Sequence, residues 1–262
     1  SSSRYMLRAI EPQTRPEGLP ESFIYLELDR ADAKIRRRLE SRLLSVLGEI
    51  RAAVEDWPAM QAALETDARL LANEEGAALL RWFLDRNFTQ LGHQFEALDG
   101  AVSGTAGILR VDSAPLWSSE ERAIAVDWFT RGNDPPLVAK SIRKASVHRH
   151  VPLDLLIVPR REGGLITGLS IHAGLWTSSA LRTPAQQIPV LRRRLDTIEE
   201  KHGFDPYGHA GKALHHVLAS LPNDLLIAFA PEVMERLALE AMSLADRPRS
   251  RLILEPDILR RH

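Results

Sequence analysis

Four side chains between positions 140 and 149 have the right types to hold an anion: Lys140, Arg143, His148 and Arg149. A guanidinium grips a carboxylate with two parallel donors, whereas an ammonium acts as a point charge. One reading is therefore a pocket in which Lys140 and Arg143 clamp the α-carboxylate of an amino acid; the other is a solvated basic face with ion pairs. Arg192-Arg193-Arg194 carries further positive charge. A nucleic-acid site would need such residues on one face with aromatic rings among them. No aromatic residue lies there, so a solvated helix face is favoured and no nucleic acid is expected.

The histidines point the same way. His148-Arg149-His150, read as a strand, puts both imidazoles on one face. With no cysteine and only Asp154 as a nearby carboxylate, hydrogen-bonding histidines are favoured and no metal is expected. Ser146, His148 and Asp154 are too close along one strand for triad geometry. His209, His215 and His216 read as helix surface. Trp57, Trp82, Trp117, Trp128 and Trp176 read as core or interface.

Dinucleotide binding needs a Gly-rich turn between a strand and a helix N-terminus. The glycines at 163–168 and 100–107 precede strands instead, and no G-x-S-x-G or phosphate-loop signature is present. The chain therefore carries no expectation of a cofactor or of catalytic residues. Its 34 basic and 35 acidic residues leave a net charge of −1, and 44% hydrophobic content is ordinary for a folded protein. The absence of cysteine fits a reducing, cytoplasmic setting, and no stretch is long and apolar enough for a membrane span. The chain opens without Met and is expected to be a piece of a longer protein.

The elements that would position these groups follow from periodicity. Strands are expected at 5–10 and 23–28. Ile35, Leu39, Leu43, Val46, Leu47 and Ile50 then place an apolar stripe on a long helix. Helices follow from Pro58 to Leu71 and from an Asn73 cap to about Arg86. Strands are expected at Phe88–Phe95, Ile108–Val111, Leu137–Ile142, Leu153–Pro159 and Leu165–Leu175, with a helix from Ser119. The last two strands join through a Gly163-Gly164 hairpin. Helices at Ile188–His202, His209–Leu221 and Pro231–Leu244 alternate with strands at Leu225–Phe229 and Ser250–Leu254. The expected class is α+β, with two or more small antiparallel-sheet modules carrying helices on one face. The segments are 1–72, 73–185 and 186–262.

Several stretches recur in an order that resembles the non-catalytic N-terminal region of the large bacterial NAD-specific glutamate dehydrogenases. They are Glu21–Arg30, Ile50–Met60, Leu80–Gly92, Gly107–Arg110, Leu137–Arg149, Gly174–Leu214 and Arg247–Leu252, covering about residues 21–254. The chain departs from the family pattern at Thr177–Thr183 and Lys140–Ala145. The resemblance implies ACT-like and PAS-type modules: the end of an ACT-like module in 1–72, an ACT-like or PAS-type module at 73–185 and an ACT-like segment at 186–262. It implies a parent enzyme that oxidises L-glutamate with NAD, and a catalytic domain downstream in the same chain. It further implies homo-oligomer assembly and an amino-acid effector, for which Lys140, Arg143, His148 and Arg149 are the candidate contacts. A purely structural scaffold without ligand is the alternative.

Overall fold

The computed structural model describes residues 25, 27–133, 136–203, 205 and 208–244. The expected strands at 5–10 and 250–254, and half of that at 23–28, lie outside them; the described residues Tyr25, Glu27 and Leu28 are not in a strand. The chain divides into two compact units, residues 1–42 and 43–262. In the first, Asp32 accepts hydrogen bonds from the Lys34 and Ile35 amides (both 2.8 Å) and so starts helix α1, Ala33–Glu55.

The second unit continues from residue 43 of α1. Next comes α2 (Trp57–Leu70), with Pro58 in its first turn where a missing N–H costs nothing. Asn73 then caps α3 (Glu74–Trp82), accepting from the Gly76 amide at 2.6 Å. A wide turn, Phe83–Asn87, leads into β1 (Phe88–Ala97). After β2 (Val102–Gly107) come a single helical turn, α4 (Ile108–Val111), and α5 (Ser119–Thr130). The Ser118 hydroxyl accepts from the Glu121 amide and the Glu121 carboxylate from the Ser118 amide, so α5 opens on a reciprocal cap.

Strands β3 (Leu137–Lys144), β4 (Pro152–Glu162) and β5 (Leu165–Trp176) complete one antiparallel sheet, in the order β2-β1-β5-β4-β3. Gly163 and Gly164 both have positive φ, which a two-residue hairpin demands. The remaining elements are α6 (Ser178–Arg182), a 3-10 turn, α7 (Leu191–His202), α8 (His209–Ala219), α9 (Asn223–Leu226) and α10 (Pro231–Leu244).

The central strands explain the layering. β4 and β5 are buried almost without alternation, the pattern of a sheet covered on both sides. Leu155, Ile157, Leu169, Ile171 and Ala173 join one apolar cluster with Ala125 and Phe129 of α5. Leu156, Val158 and Trp176 join another with Leu64 of α2, Leu79 of α3 and the helices after β5. Helices on one face only, as expected from the sequence, is thus corrected to helices on both. The several sheets expected are one sheet among the described residues.

Two expected strands are helical. Ile108–Val111 turns inward because Gly107 (φ 65°, ψ −138°) ends β2 and sends Ile108 and Leu109 into the core. Leu225–Phe229 continues from α9, with the Ile227 amide bonded to the Asn223 carbonyl and the Phe229 amide to Leu226. Helix α7 begins three residues later than expected, because Val190 takes φ 70° while its amide donates to Glu75 Oε2 at 3.0 Å.

Candidate functional site: a buried polar cluster beneath a cleft

Asp67 is on the buried stripe of α2, in line with Met60, Leu64 and Ala68. The helix lies against β1 and β5, so the carboxylate enters the sheet where His93 and His172 are paired across the strands. There, Asp67 Oδ2 accepts from Ser170 Oγ (2.6 Å) and His172 Nε2 (2.7 Å). Arg160 Nη2 stands 2.8 Å from Oδ1, a charge contact without hydrogen-bond alignment.

The network assigns the protons. Gln90 Nε2 is 2.9 Å from His172 Nδ1; with the amide as the donor there, the Nε2 hydrogen of His172 goes to Asp67. Gln61 in turn donates to Gln90 Oε1 at 3.1 Å. The Ser170 proton goes to Asp67, leaving the hydroxyl oxygen to accept from His93 Nε2 at 3.1 Å. The two imidazole rings are 4.7 Å apart and tilted by 32°. Burial, reinforced by His172, pulls His93 down from 6.5 to about 4, so it is neutral at pH 7. Serine lies between the carboxylate and the imidazole here. A nucleophilic triad needs the imidazole in the middle, so acyl transfer does not follow from this arrangement.

Asp67, His93 and His172 each bring a ligand atom within 4.8 Å of the others, the one such group among the described residues. Their polar atoms are already engaged, His172 with Asp67 and His93 with Ser170, and the Arg160 charge sits beside the carboxylate. A cation would have to displace that guanidinium, so the group fits a structural cluster better than a metal centre.

Above the cluster opens a cleft of about 730 Å³ lined by Asp67, His93, Ser170, Arg160, Arg161 and Asn133 among others. Its size suits a small ligand. Arg161 is tethered to the Gly164 carbonyl (3.1 Å) and the Phe129 carbonyl (3.3 Å). The cleft thus combines two guanidiniums, an imidazole, a hydroxyl and a buried carboxylate.

The residues singled out from sequence are elsewhere. Lys140 Nζ is 2.6 Å from Asp154 Oδ1 and also bonds Asp224. Burial opposes its charge, but the two carboxylates outweigh it and raise its pKa. Arg143 donates to the Asp112 carbonyl at 2.9 Å and pairs with its side chain at 3.2 Å. Arg149 donates to the Trp176 carbonyl at 2.6 Å. His148 is exposed at φ 71°. Residues 145–151 connect β3 to β4 as bends, so His148 and His150 do not share a strand face as expected. None of the four lines the cleft. The three successive arginines also diverge: Arg192 pairs with Glu75 (2.8 Å), Arg193 is exposed, and Arg194 donates to the Ile227 and Phe229 carbonyls.

Sequence reasoning missed Asp67, Arg160, Ser170 and His172. The available signal was a lone carboxylate within an apolar helical stripe, which must find partners where it is buried.

Residues 188–247, the segment containing α7–α10, match the family described as glutamate dehydrogenase, helical motif 1. The chain is 31% identical over 260 residues to an NAD-specific glutamate dehydrogenase of Pseudomonas aeruginosa and 29% over 261 residues to one of Halomonas elongata. Each alignment takes in 90% of this chain. The chain matches one segment of the NAD-specific glutamate dehydrogenases. A homologue of the same description from Mycobacterium tuberculosis is 25% identical over 277 residues, 97% of this chain. The chain spans 16% of the length of each of these glutamate dehydrogenases. The order of motifs that resembled these enzymes is therefore supported along nearly the whole sequence.

Proposed function

We propose that the chain is a regulatory and assembly region of an NAD-dependent glutamate dehydrogenase. The parent enzyme would convert L-glutamate, NAD and water to 2-oxoglutarate, ammonia and NADH, with its catalytic domain in the same polypeptide and in the cytoplasm. The observation that carries this reading is a match over 90% of the chain that occupies only 16% of the relatives. The fold supports it. Dinucleotide sites form at the ends of parallel strands, whereas the sheet here is antiparallel throughout, so the described residues do not fit NAD. ACT-like and PAS-type modules are our finer reading of this α+β architecture.

The effector we assign to the cleft is an amino acid. Arg160 and Arg161 suit its carboxylate, and Glu162 supplies negative charge for its ammonium. The carboxylate clamp at Lys140, Arg143, His148 and Arg149 is less favoured, because none of the four lines the cleft. The test is thermal unfolding of the chain against the twenty amino acids at millimolar concentration. Selective stabilisation by one or two, lost in Arg160→Gln, supports the reading, since a ligand of the native state stabilises by mass action. No shift with any amino acid overturns the effector part.

A scaffold without ligand is the second reading, favoured by the exposed apolar residues Leu43, Leu44, Leu47 and Val54 on α1. Such a row suits packing against a partner helix. Sedimentation of Leu47→Glu at several concentrations tests it: an oligomer unaffected by the charge sinks this role for α1.

A further inference from the structure

A second cleft, of about 380 Å³, opens between α3, the end of α5, α7 and α10, with Trp128, Pro136, Val190 and Ile198 as apolar wall and Arg193 and Arg194 as its cations. Its charges are not balanced. Glu75 faces it but is held by Arg192 at 2.8 Å and by the Val190 amide at 3.0 Å. Glu235 also faces it, and is held by Lys201 at 2.7 Å and His202 at 2.6 Å. Both carboxylates are therefore already neutralised by cations outside the cleft lining, and their pKa values lie below the usual range, Glu75 chiefly through the Val190 amide and Glu235 chiefly through Lys201.

The arginines have no such partners. Among the described residues neither Arg193 nor Arg194 has a carboxylate at ion-pair distance; Glu75 acts on Arg193 and Glu232 on Arg194 only through space. Arg194 Nη1 donates to the Ile227 carbonyl at 3.1 Å and the Phe229 carbonyl at 3.0 Å. That bond pair fastens the turn after α9, and it accounts for one nitrogen of three. Burial pulls the guanidinium down to about 10, which still leaves it charged at neutral pH. A partly buried cation against apolar walls is costly unless an anion meets it.

We propose that this second cleft is a binding site for a small organic anion, a carboxylate or phosphate on an apolar body, gripped by Arg193 and Arg194 with the body against Trp128 and Ile198. The site adjoins the amino-acid cleft, sharing Asn73, Gly132 and Asn133 with it, and requires no ammonium on the ligand. The dimensions suit a ligand of modest size, and a charge-assisted contact to a guanidinium favours a planar or tetrahedral oxyanion.

The experiment is calorimetric titration of the whole chain with inorganic phosphate, phenyl phosphate and phenylacetate, each against chloride at constant ionic strength so that general screening is equal. Saturable binding of an aryl anion, weakened about tenfold in Arg193→Gln, is the expected result, that factor being the loss of one charge-assisted contact. Arg193 is exposed, so this variant keeps the fold. Preference for phenyl phosphate or for phenylacetate identifies which oxyanion the site takes. Arg194→Lys retains the charge but loses the fork, and it should weaken binding without abolishing it. Absence of binding by all three, or binding equal in wild type and Arg193→Gln, overturns the proposal. Amino-acid stabilisation is read separately through Arg160→Gln, so either reading can fail alone.

Discussion

The two faces of the sheet bury themselves by different means. Towards α5, β4 and β5 present Leu155, Ile157, Leu169, Ile171 and Ala173, which pack with Phe129 and ask only for shape. Towards α2 the same strand β5 presents Ser170 and His172, which are buried and depend on Asp67. The first face also has a buried acid, Glu96, held by Gln94, Trp117 and the partly exposed Arg122, but that group lies near an edge strand. Packing tolerates approximate fits, whereas a dry polar network fails when one member goes. The α2 face should therefore be brittle and pH-sensitive, and the α5 face neither.

Removing the centre of the network should give the largest effect. Asp67→Ala leaves His172 and Ser170 without their acceptor and Arg160 without its counter-charge, and should cost about 3–5 kcal/mol. Denaturant unfolding that moves by less than about 1 kcal/mol would mean that the network is not holding α2 to the sheet. On the other face, Leu155→Ala should cost about 2–5 kcal/mol as a cavity, and the same at pH 5 as at pH 7. A cost that changes with pH there would erase the contrast.

Acid should separate the faces further. His93 is held near 4 in the fold and titrates at 6.5 when unfolded, so between those values the unfolded chain binds the extra proton. Stability is complete above about pH 6.5 and falls as pH drops towards 4, by up to about 3 kcal/mol for this group. In His93→Gln the slope of stability against pH over that window should shrink; an unchanged slope assigns the acid sensitivity to other groups. The smallest effect belongs to a local device on the α5 side. Ser118→Ala removes the acceptor for the Glu121 amide and should cost about 1 kcal/mol, visible as a small shift in Tm without change of pH profile.

Much of the scaffold was legible because its signals are local. The Asn73 cap, the Gly163-Gly164 hairpin and the helix start at Pro58 depend on neighbours within a few residues. Gly203 likewise takes the left-handed conformation that ends α7. The failures share a cause of the opposite kind. Ile108–Val111 and Leu225–Phe229 are short apolar runs, whose period cannot distinguish strand from buried helix. Val190 is bent by Glu75, 115 residues away. Asp67 meets His172 across 105 residues, and no spacing rule joins a carboxylate in one helix to an imidazole in a distant strand. Lys140 and Arg143 had the right types for a site, but tertiary partners claimed them.

The meeting of β1 and β2 has a further consequence. A methyl group on Gly107 would sit 2.1 Å from the Leu91 carbonyl oxygen and 2.9 Å from the Met60 sulfur, at a φ of 65°. No side chain, however small, fits there without parting the strands. Position 107 is thus a one-letter diagnostic for this architecture. In a distant homologue whose other residues have drifted beyond recognition, anything but glycine at the aligned site announces that the strand pair has been rebuilt.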